Sequence, residues 1–461
     1  MPSILRPDLV YRDGAFHRDV EVMLGDEGRI AAVGPNGSLS SDGVEIQRLP
    51  RRALLPGFTN AHSHAFQRLL RGRTEWRTAA ADDFWTWRDR MYAVVRALTP
   101  DTLEDVCAFT FLEMVRAGIT TVGEFHYLHR DPAGRSYADP NELSLRVVRA
   151  AERVGLRLVL LDVAYARGGP GQPLGETQRR FGTPTLEQFV ANLEALETSV
   201  RQRPLLTVGL APHSVRALTR EQLSELAQAA ATRGWPVHMH LAEQQREVEE
   251  CVAETGLRPV ELSAETGLLS ERFCGIHAIE LRPNEIQLLG QARASVCACP
   301  TTERDLGDGV IPAAALQRAG VNLALGSDSQ IQIDLLEEAR SIELNPRLQA
   351  HQRILLEAGA ENPHALARTL FDVASRGGAL ALGLPTPEIV AGAPADLIAI
   401  DLDDPSLRGV GEALLSTLIF GGQTRAITDV WVAGRLLVRD RRHPQEEALG
   451  QRFEEIASGV R

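Results

Sequence analysis

Strand-like apolar runs alternate with amphipathic, helix-length segments through most of the chain. The runs cover residues 54–64, 120–125, 156–163, 206–211, 237–241, 273–277, 295–299 and 321–326. Alternating strand and helix patterns of this kind are typical of a parallel sheet with helical crossovers. Eight such strands predict an α/β fold, a (β/α)8 TIM barrel, whose chemistry lies at the carboxyl ends of the strands.

The helices between these runs carry recognisable start and stop signals. Thr99 followed by Pro100 predicts a helix N-terminus, and Gly118 ends the same helix. Thr219 and Gln222 have the spacing of a capping box, for a helix that runs to residue 233. These signals support the alternation of strand and helix.

Both ends of the chain have a different pattern, with short strands and tight turns. A hairpin is predicted between residues 20 and 34, turning at the sequence Gly25-Asp26-Glu27-Gly28. Strand patterns return after residue 388, at residues 392–400 and 429–438. We therefore predict a small β-sandwich domain built from residues 1–57 and 389–461, beside a catalytic barrel of residues 58–388.

The composition of the chain argues against several classes of function. The 461 residues carry a net charge of −12, which argues against a nucleic-acid surface. No apolar run reaches the ~18–20 residues of a membrane span, and the first residues lack the apolar core of a secretory signal. The five cysteines have no zinc-knuckle spacing and are typical of reduced thiols. We expect a cytoplasmic protein with no nucleic-acid or membrane partner.

The chain contains no lysine, because all 49 basic residues are arginines. This absence excludes Schiff-base and pyridoxal phosphate chemistry and a P-loop nucleotide site. It also excludes a carboxylated lysine that would bridge two metal ions.

Polar side chains collect where the predicted strands end. His62 and His64 share a face of the first strand. His240 ends the fifth strand, and Asp328 follows the eighth. Three imidazoles and one carboxylate form a good site for one divalent transition metal with an open position for water. His238, two residues before His240, is expected to lie one layer deeper as a support.

Three catalytic roles follow from the chemistry that such a metal supports. A divalent metal lowers the pKa of bound water from ~15.7 to about 7, and Asp328 is placed to accept its proton. His277, at the end of the sixth strand, can orient the attacking hydroxide. Glu243 can carry a proton to a departing nitrogen. Taken alone, Glu243 also fits an exposed acidic run with Glu247 and Glu250.

Together these motifs resemble the amidohydrolase superfamily, in its mononuclear deaminase branch. The resemblance covers essentially the whole chain and rests on His62-x-His64, His240-x-x-Glu243, His277, Ser327-Asp328 and Pro394-Ala395-Asp396-Leu397. A narrower likeness is to the formimidoylglutamate deiminase family of histidine breakdown. It rests on His64-Ala65-Phe66-Gln67-Arg68, Phe84-Trp85-Thr86-Trp87-Arg88, Glu124-Phe125-His126-Tyr127, Gly134-Arg135-Ser136-Tyr137-Ala138-Asp139-Pro140, His240-Leu241-Ala242-Glu243-Gln244-Gln245 and Leu306-Gly307-Asp308-Gly309.

That family hydrolyses N-formimino-L-glutamate to N-formyl-L-glutamate and ammonia, with zinc as the usual metal. The resemblance implies one zinc ion and substrate contacts from Gln67, Arg88, Tyr127, His213 and Arg216. Arg88 and Arg216 can each bind a carboxylate through two parallel hydrogen bonds, as a small dicarboxylate amidine requires. A homodimer is also expected.

Two alternatives stay open. Another mononuclear deaminase, acting on a purine, nucleoside or triazine, would use the same metal ligands in a pocket that offers aromatic stacking and amide edges. A non-catalytic scaffold with this fold would typically have lost metal ligands, and none of the four is missing.

Two loops depart from the pattern of the family. Arg304-Asp305 and Ser329-Gln330-Ile331-Gln332 replace small or neutral residues, and the histidine after Asp-Ser, that the resemblance leads us to expect. We expect these loops to line the mouth of the site. The Gly- and Arg-rich segment 168–181 follows the third strand and could cover the site, but the favoured interpretation is a plain surface loop.

Overall fold

A mixed sheet begins with the first five strands of the chain. The computed structural model describes residues 2–40, 42–76, 83–356 and 362–460. The strands are β1 (Ser3–Arg12), β2 (Ala15–His17), β3 (Val20–Leu24), β4 (Ile30–Pro35) and β5 (Glu45–Pro56). β3 and β4 form the predicted antiparallel hairpin, and β1 pairs with β5 in parallel.

Eight parallel strands then form a barrel. They are β6 (Phe58–Ser63), β7 (Ile119–His126), β8 (Arg157–Ala164), β9 (Leu206–Pro212), β10 (Val237–Leu241), β11 (Phe273–His277), β12 (Ser295–Ala298) and β13 (Asn322–Leu325). Each strand is hydrogen bonded to the next, from β6 to β13. The strands are buried along almost their whole length, as expected for a parallel sheet with helices on its outer face.

Helices connect the strands and continue after the barrel. The described α-helices are α1 (Phe84–Ala97), α2 (Pro100–Arg116), α3 (Glu142–Val154), α4 (Leu186–Val200), α5 (Arg220–Arg233), α6 (Gln245–Thr255), α7 (Pro259–Glu265), α8 (Pro283–Gln291), α9 (Pro300–Leu306), α10 (Ala313–Arg318), α11 (Leu335–Ala350), α12 (Ala365–Asp372), α13 (Gly378–Ala381), α14 (Leu414–Gly421) and α15 (Glu446–Gly459). Thr99 caps α2, and Thr219 with Gln222 forms the predicted capping box of α5. Within the described ranges, no helix is long and apolar enough to cross a membrane.

Strands from the C-terminal part of the chain complete the mixed sheet. They are β14 (Leu397–Asp401), β15 (Ile427–Val432) and β16 (Arg435–Val438). The strand order is β16-β15-β14-β5-β1-β3-β4, with β2 paired to β1. β5 therefore joins the two chain ends, because it pairs with β1 on one side and with β14 on the other. A separate small core that includes Leu5, Leu397 and Trp431 belongs to this sheet.

Asp396, just before β14, links the mixed sheet to the barrel. Its carboxylate accepts two hydrogen bonds from Arg157 at the start of β8, at 2.9 and 3.2 Å, and one from the backbone N–H of Ala433 at 2.6 Å. Its carbonyl accepts a hydrogen bond from the N–H of Gly57 at 2.9 Å. A bidentate arginine–carboxylate pair fixes both distance and orientation. Asp396 therefore fixes the mixed sheet against the barrel.

The barrel closes between β6 and β13 mainly through side chains. A single parallel bridge joins Ser63 to Asp328. The side chain of Asn60 donates to Oγ of Ser327 at 2.6 Å and accepts from its N–H at 3.0 Å. Gln330 donates through Nε2 to Oγ of Ser63 at 2.9 Å, and its Oε1 accepts from Oγ of Ser327 at 2.9 Å. These bonds hold together two strand ends that carry candidate metal ligands.

The predicted architecture is confirmed, since a barrel of eight parallel strands lies beside a second sheet made from both chain ends. The eight predicted strands correspond to β6–β13. The division of the chain after residues 57 and 388 stays a prediction.

Candidate active site

Four candidate metal ligands meet at the carboxyl end of the barrel. His62 lies in β6 with His64 directly after it, His240 lies in β10, and Asp328 follows β13. Their donor atoms all lie within 4.8 Å of one another, and all four side chains are buried. Nε2 of His62 and Nε2 of His64 lie 3.2 and 3.3 Å from Oδ1 of Asp328. The structure therefore brings the predicted ligand set together.

Backbone carbonyls fix the orientation of two of these imidazoles. Nδ1 of His64 donates to the carbonyl of Phe125 at 3.0 Å, and Nδ1 of His240 donates to the carbonyl of His213 at 3.1 Å. In each neutral ring Nε2 is then the nitrogen that can bind a cation. Both ring nitrogens of His62 are buried and make no hydrogen bond in the described part of the chain, since the contact of Nε2 with Asp328 at 3.2 Å lacks hydrogen-bond geometry. A buried polar atom of this kind is costly unless a ligand satisfies it.

Burial keeps the three imidazoles neutral. It lowers the pKa of His62 to about 3 and also lowers the pKa values of His64 and His240. Burial alone would raise the pKa of Asp328, but its contact with His62 and the charge of His277 hold that pKa below its ordinary value. Neutral imidazoles and an ionised carboxylate are the forms that bind a divalent cation. The donor set therefore fits a divalent metal.

Three turns at the barrel rim have backbone angles that residues other than glycine rarely adopt. φ is +48° at Ala242, +69° at His277 and +42° at Asp328. Left-handed conformations at non-glycine residues cost on the order of 1–3 kcal/mol each and cluster at functional sites. These turns lie at the carboxyl ends of β10, β11 and β13, where the neighbouring polar side chains face a common cavity.

His277 is surrounded by three carboxylates. Its Nε2 lies 3.7 Å from Oε1 of Glu243 and 3.7 Å from Oδ2 of Asp328. Its Nδ1 donates to Oε1 of Glu303 at 3.3 Å. Burial alone would lower the pKa of His277, but these carboxylates raise it well above its ordinary value. The imidazole therefore connects the candidate metal group to Glu243.

Glu243 is buried between His277 and a cation. Its Oε2 lies 3.5 Å from Nη2 of Arg216, and burial raises its pKa although His277 and Arg216 oppose that shift. Glu247 orients Glu243 and Arg216. Its carboxylate accepts from the N–H groups of Ala242 and Glu243 at 3.1 and 3.3 Å and lies 3.9 Å from Nε of Arg216. Both glutamates are buried, so the alternative of an exposed acidic run is wrong for them.

A cavity of about 680 Å³ joins the candidate metal group to the predicted substrate contacts. His62 is fully buried and does not line it. The other predicted site residues all do, namely His64, Gln67, Arg88, Tyr127, His213, Arg216, His240, Glu243, His277 and Asp328. Residues that are far apart in the sequence therefore face one space.

Arg88 and Gln67 carry unpaired polar atoms at this cavity. Nε of Arg88 and Oε1 of Gln67 are buried without a hydrogen-bond partner among the residues that the structure describes. Gln67 donates through Nε2 to the hydroxyl of Tyr127 at 2.9 Å. The guanidinium of Arg88 lies 5.6 Å from the ring centre of Tyr92, and it forms no ion pair within the described ranges. Arg88 is therefore a cation beside an open cavity, with no counter-ion among the residues that the structure describes.

Aromatic side chains and a glycine-rich loop form the rest of the cavity wall. The aromatic residues are Phe84, Trp85, Trp87, Tyr92, Tyr165 and Phe181. The ring of His213 packs on that of Tyr165, with centroids 4.5 Å apart. Residues 168–172 also line the cavity, so the interpretation of segment 168–181 as a plain surface loop is wrong. Glycine and proline leave no hydrophobic pattern from which this contact could be read.

In the two loops that differ from the family pattern, the side chains of Gln330 and Arg304 do not line the cavity. Gln330 is fully buried and bonds Ser63, Ser327 and the carbonyl of Asp328. Arg304 is exposed and donates to Glu337 at 3.0 Å. The expectation that both loops line the mouth is therefore wrong for these residues.

Sequence reasoning missed two buried carboxylates that orient the site, Glu247 and Glu303. Each lies in the first turn of a helix that follows a barrel strand, α6 and α9 respectively. An acidic residue in that turn, just after a polar strand end, is the signal that could have found them. His238, expected to support the ligands, instead hydrogen-bonds the carbonyl of Ala381 at 2.9 Å.

Comparisons with known proteins agree with this geometry. The model of the amidohydrolase family matches residues 53–437. The chain is 40% identical over 444 residues to the formimidoylglutamate deiminase of Pseudomonas aeruginosa, which covers 95% of each chain.

Solved structures share the whole architecture. An amidohydrolase from Brucella melitensis superposes with a TM-score of 0.91 at 34% identity, covering 99% of both chains. An adenosine deaminase from Xanthomonas campestris, with bound zinc, superposes with a TM-score of 0.83 at 26% identity, covering 99% of this chain and 98% of that one. The family match extends over most of the sequence, and the barrel rim carries a buried group of three histidines and an aspartate. This chain belongs to the amidohydrolase family.

Proposed function

We propose that this protein is a metal-dependent deiminase that hydrolyses N-formimino-L-glutamate to N-formyl-L-glutamate and ammonia. The observation that carries the proposal is one cavity that contains the candidate metal group, a buried glutamate and two arginines, Arg88 and Arg216. A metal and a proton carrier suit the cleavage of an amidine C–N bond, and two guanidinium groups suit a dicarboxylate. The 40% identity to the Pseudomonas aeruginosa deiminase supports the same substrate.

His62, His64, His240 and Asp328 would hold the metal. When bound, a divalent ion acts as a Lewis acid and lowers the pKa of a water molecule. Zinc is the proposed ion, since three imidazoles and a carboxylate suit it and the Xanthomonas campestris structure contains zinc.

Asp328 and Glu243 would move the protons of the reaction, and His277 would orient the attacking oxygen. Asp328 accepts a proton from the attacking water, whose oxygen adds to the formimino carbon. His277, between Glu243 and Asp328 at 3.7 Å from each, holds the attacking oxygen in place. Glu243 gives its proton to the imino nitrogen as the adduct forms, takes up the proton of the adduct hydroxyl and passes it to the resulting amino nitrogen. The C–N bond then breaks, ammonia leaves as the formyl C=O forms, and the proton on Asp328 returns to Glu243.

Arg88, Arg216, Gln67, Tyr127 and His213 would hold the substrate. Nε of Arg88, Nε of Arg216 and Oε1 of Gln67 have no hydrogen-bond partner in the described part of the chain, so a substrate can satisfy them. Burying a guanidinium without an anion is unfavourable, so a bound carboxylate beside Arg88 is stabilising. The hydroxyl of Tyr127 and the ring of His213 complete the polar wall.

A purine or nucleoside deaminase is the second candidate. Seven aromatic residues line the cavity, and aromatic rings can stack on a heterocycle. Arg88 argues against a purine or nucleoside substrate, because a neutral base would leave the charge of the Arg88 guanidinium uncompensated. A non-catalytic scaffold is disfavoured because the full donor group is present.

Product analysis tests the proposal. Metal-loaded protein is incubated with N-formimino-L-glutamate, and both products are identified by proton NMR and an ammonia assay. Equal amounts of N-formyl-L-glutamate and ammonia are expected. Formation of L-glutamate and formamide, or no turnover, would reject the proposed reaction. Location in the cytoplasm and a homodimeric state stay predictions.

A further inference from the structure

Three guanidinium groups surround the indole of Trp85. Their Cζ atoms lie 4.6 Å (Arg88), 5.7 Å (Arg216) and 4.4 Å (Arg246) from its ring. An arginine within about 6 Å of an indole is attracted and oriented by the ring. Arg88 is on α1 beside Trp85, whereas Arg216 follows β9 and Arg246 is on α6. One aromatic side chain therefore orients cations from three separate elements, and all four side chains line the cavity.

The three arginines differ in how far the protein neutralises them. Arg216 has two carboxylates at 3.5 and 3.9 Å, and Arg88 has no ion pair in the described part of the chain. Nε of Arg246 donates to Glu250 at 2.7 Å. The two terminal nitrogens of Arg246 have no hydrogen-bond partner among the described residues, and its side chain is 60% exposed. Arg246 therefore has a free guanidinium edge at the outer part of the cavity.

The proposed substrate has its two carboxylates at different distances from the reacting carbon. The first is on the carbon bonded to the formimino nitrogen, and the second lies further along the side chain. Arg216 contacts Glu243, so it lies close to the reacting end. A carboxylate at the far end of the same molecule extends toward the mouth, where Arg246 is exposed.

We propose that Arg246, oriented by Trp85, is a specificity-determining residue that binds the distal carboxylate of the dicarboxylate amidine alongside Arg88. This inference rests on the proposed function. The ring of Trp85 and the bond to Glu250 hold the guanidinium plane, so its terminal nitrogens can donate to a carboxylate with little loss of side-chain freedom.

Arg246→Met is the test variant, with Arg233→Met as its matched control. Arg233 has the same kind of environment away from this cavity, since it pairs with Glu194 and lies 5.9 Å from the ring of Trp235. The substrates are N-formimino-L-glutamate and N-formimino-L-norvaline, which lacks the distal carboxylate. In Arg246→Met we expect KM for the dicarboxylate to rise about 10–100-fold, as for a lost charge-assisted hydrogen bond.

The same variant should leave kcat, and KM for the norvaline substrate, near the wild-type values. Arg246→Lys keeps the charge and should recover part of the loss. Arg233→Met should change neither substrate's KM. An unchanged KM for the dicarboxylate in Arg246→Met, or an equal rise for both substrates, would overturn the assignment.

A binding measurement separates this inference from the proposed reaction. N-acetyl-L-glutamate and N-acetyl-L-norvaline carry the same side chains without the reacting group, and their affinities are measured by calorimetry. Wild type should prefer the dicarboxylate, and Arg246→Met should lose that preference whether or not the protein deiminates anything. A preference that persists in Arg246→Met, or that wild type lacks, overturns the role of Arg246 even where ammonia release is confirmed.

Discussion

Glu243 is held between an imidazole that favours its ionised form and a buried environment that favours its neutral form. Burial raises its pKa, while His277 and Arg216 oppose that shift. A carboxyl group balanced in this way can give up a proton and recover it within one catalytic cycle. The backbone N–H of Glu243 also donates to Glu247 at 3.3 Å, which fixes the backbone that carries this carboxyl.

Glu243→Gln should keep the shape of this side chain and remove its ability to transfer a proton. We expect kcat to fall by about 10²–10⁴-fold, with metal content and the affinity for N-acetyl-L-glutamate close to wild type. Steady-state ammonia release measures kcat, and elemental analysis of the same sample measures the metal content. Calorimetry measures the affinity for N-acetyl-L-glutamate. Glu249→Gln changes an exposed acid of the same helix and should leave kcat unchanged. Near-normal turnover in Glu243→Gln would remove this residue from the mechanism.

Arg88 and Arg216 should respond differently to replacement by methionine. Arg88 has no ion pair within the described ranges, so Arg88→Met should mainly raise KM, by about 10–100-fold. Arg216 lies beside Glu243 and Glu247, and its loss leaves buried carboxylates without their cation. Arg216→Met should therefore lower kcat as well as raise KM. If both variants changed kcat and KM in the same way, this distinction would be contradicted.

Glu124 gives the fold a testable dependence on pH. Burial raises its pKa to about 8 from an ordinary 4.5, although hydrogen bonds from Ser63 and Ala65 oppose this. Between these two values the folded state holds a proton that the unfolded state releases. The stabilisation is therefore complete below pH 4.5 and is lost as the pH rises through about 8.

Glu124→Gln removes this titration and should flatten the fall in stability over the same pH interval. The difference between wild type and variant should be on the order of a few kcal/mol across the interval. Denaturant unfolding at a series of pH values measures it. Parallel pH profiles for the two proteins would show that Glu124 is ionised in the folded state.

At the scale of elements, the junction between β6 and β13 positions the candidate metal site. The two strands share one bridge, and side-chain bonds among Asn60, Ser63, Ser327 and Gln330 connect them. Gln330 also donates to the carbonyl of Asp328 at 2.8 Å. The ends of both strands carry candidate ligands, so this network sets the distance between them.

Gln330→Ala should loosen the junction. Removing three hydrogen bonds from a buried amide should lower the free energy of unfolding by about 1–3 kcal/mol. Metal affinity should fall by about 10–100-fold, as for other groups that orient ligands. Competition with a chelator and thermal unfolding measure the two effects. Gln332→Ala, at an exposed position of the same loop, is the control and should change neither.

Sequence pattern predicted the elements well because parallel strands and their helices leave strong signals. The run Val237–Leu241 is fully buried in the structure, and the cap at Thr219 starts α5 as expected. His62, His64, His240 and Asp328 could be grouped because each marks the carboxyl end of a strand, and barrel topology brings those ends together.

Tertiary contacts of loops left no comparable signal. Residues 168–172 reach the cavity although their composition indicates only a flexible segment. Gln330 looks like a mouth residue in the sequence, yet its amide closes the barrel. Glu247 looks exposed within an acidic run, and its burial depends on two backbone N–H groups and Arg216. Each of these placements depends on partners that are distant in the chain or on the strained turn after β10.

At the scale of the whole molecule, the mixed sheet and the barrel are connected close to the first metal-ligand strand. β5 leads through Gly57 into β6, and the N–H of Gly57 bonds the carbonyl of Asp396 at 2.9 Å. The carboxylate of Asp396 reaches Arg157 on β8. The chain ends therefore brace the start of β6, whose other end carries His62 and His64.

One metal-dependent site is proposed to deiminate a small dicarboxylate amidine. The most direct measurement compares kcat/KM for ammonia release from N-formimino-L-glutamate, adenosine and an amino-substituted triazine, using one zinc-loaded sample of known metal content. We expect about one metal per chain, no activity after chelation, and a preference of about 10³-fold or more for the dicarboxylate. Release of ammonia from adenosine or the triazine but not from N-formimino-L-glutamate, or full activity in metal-free protein, would contradict it.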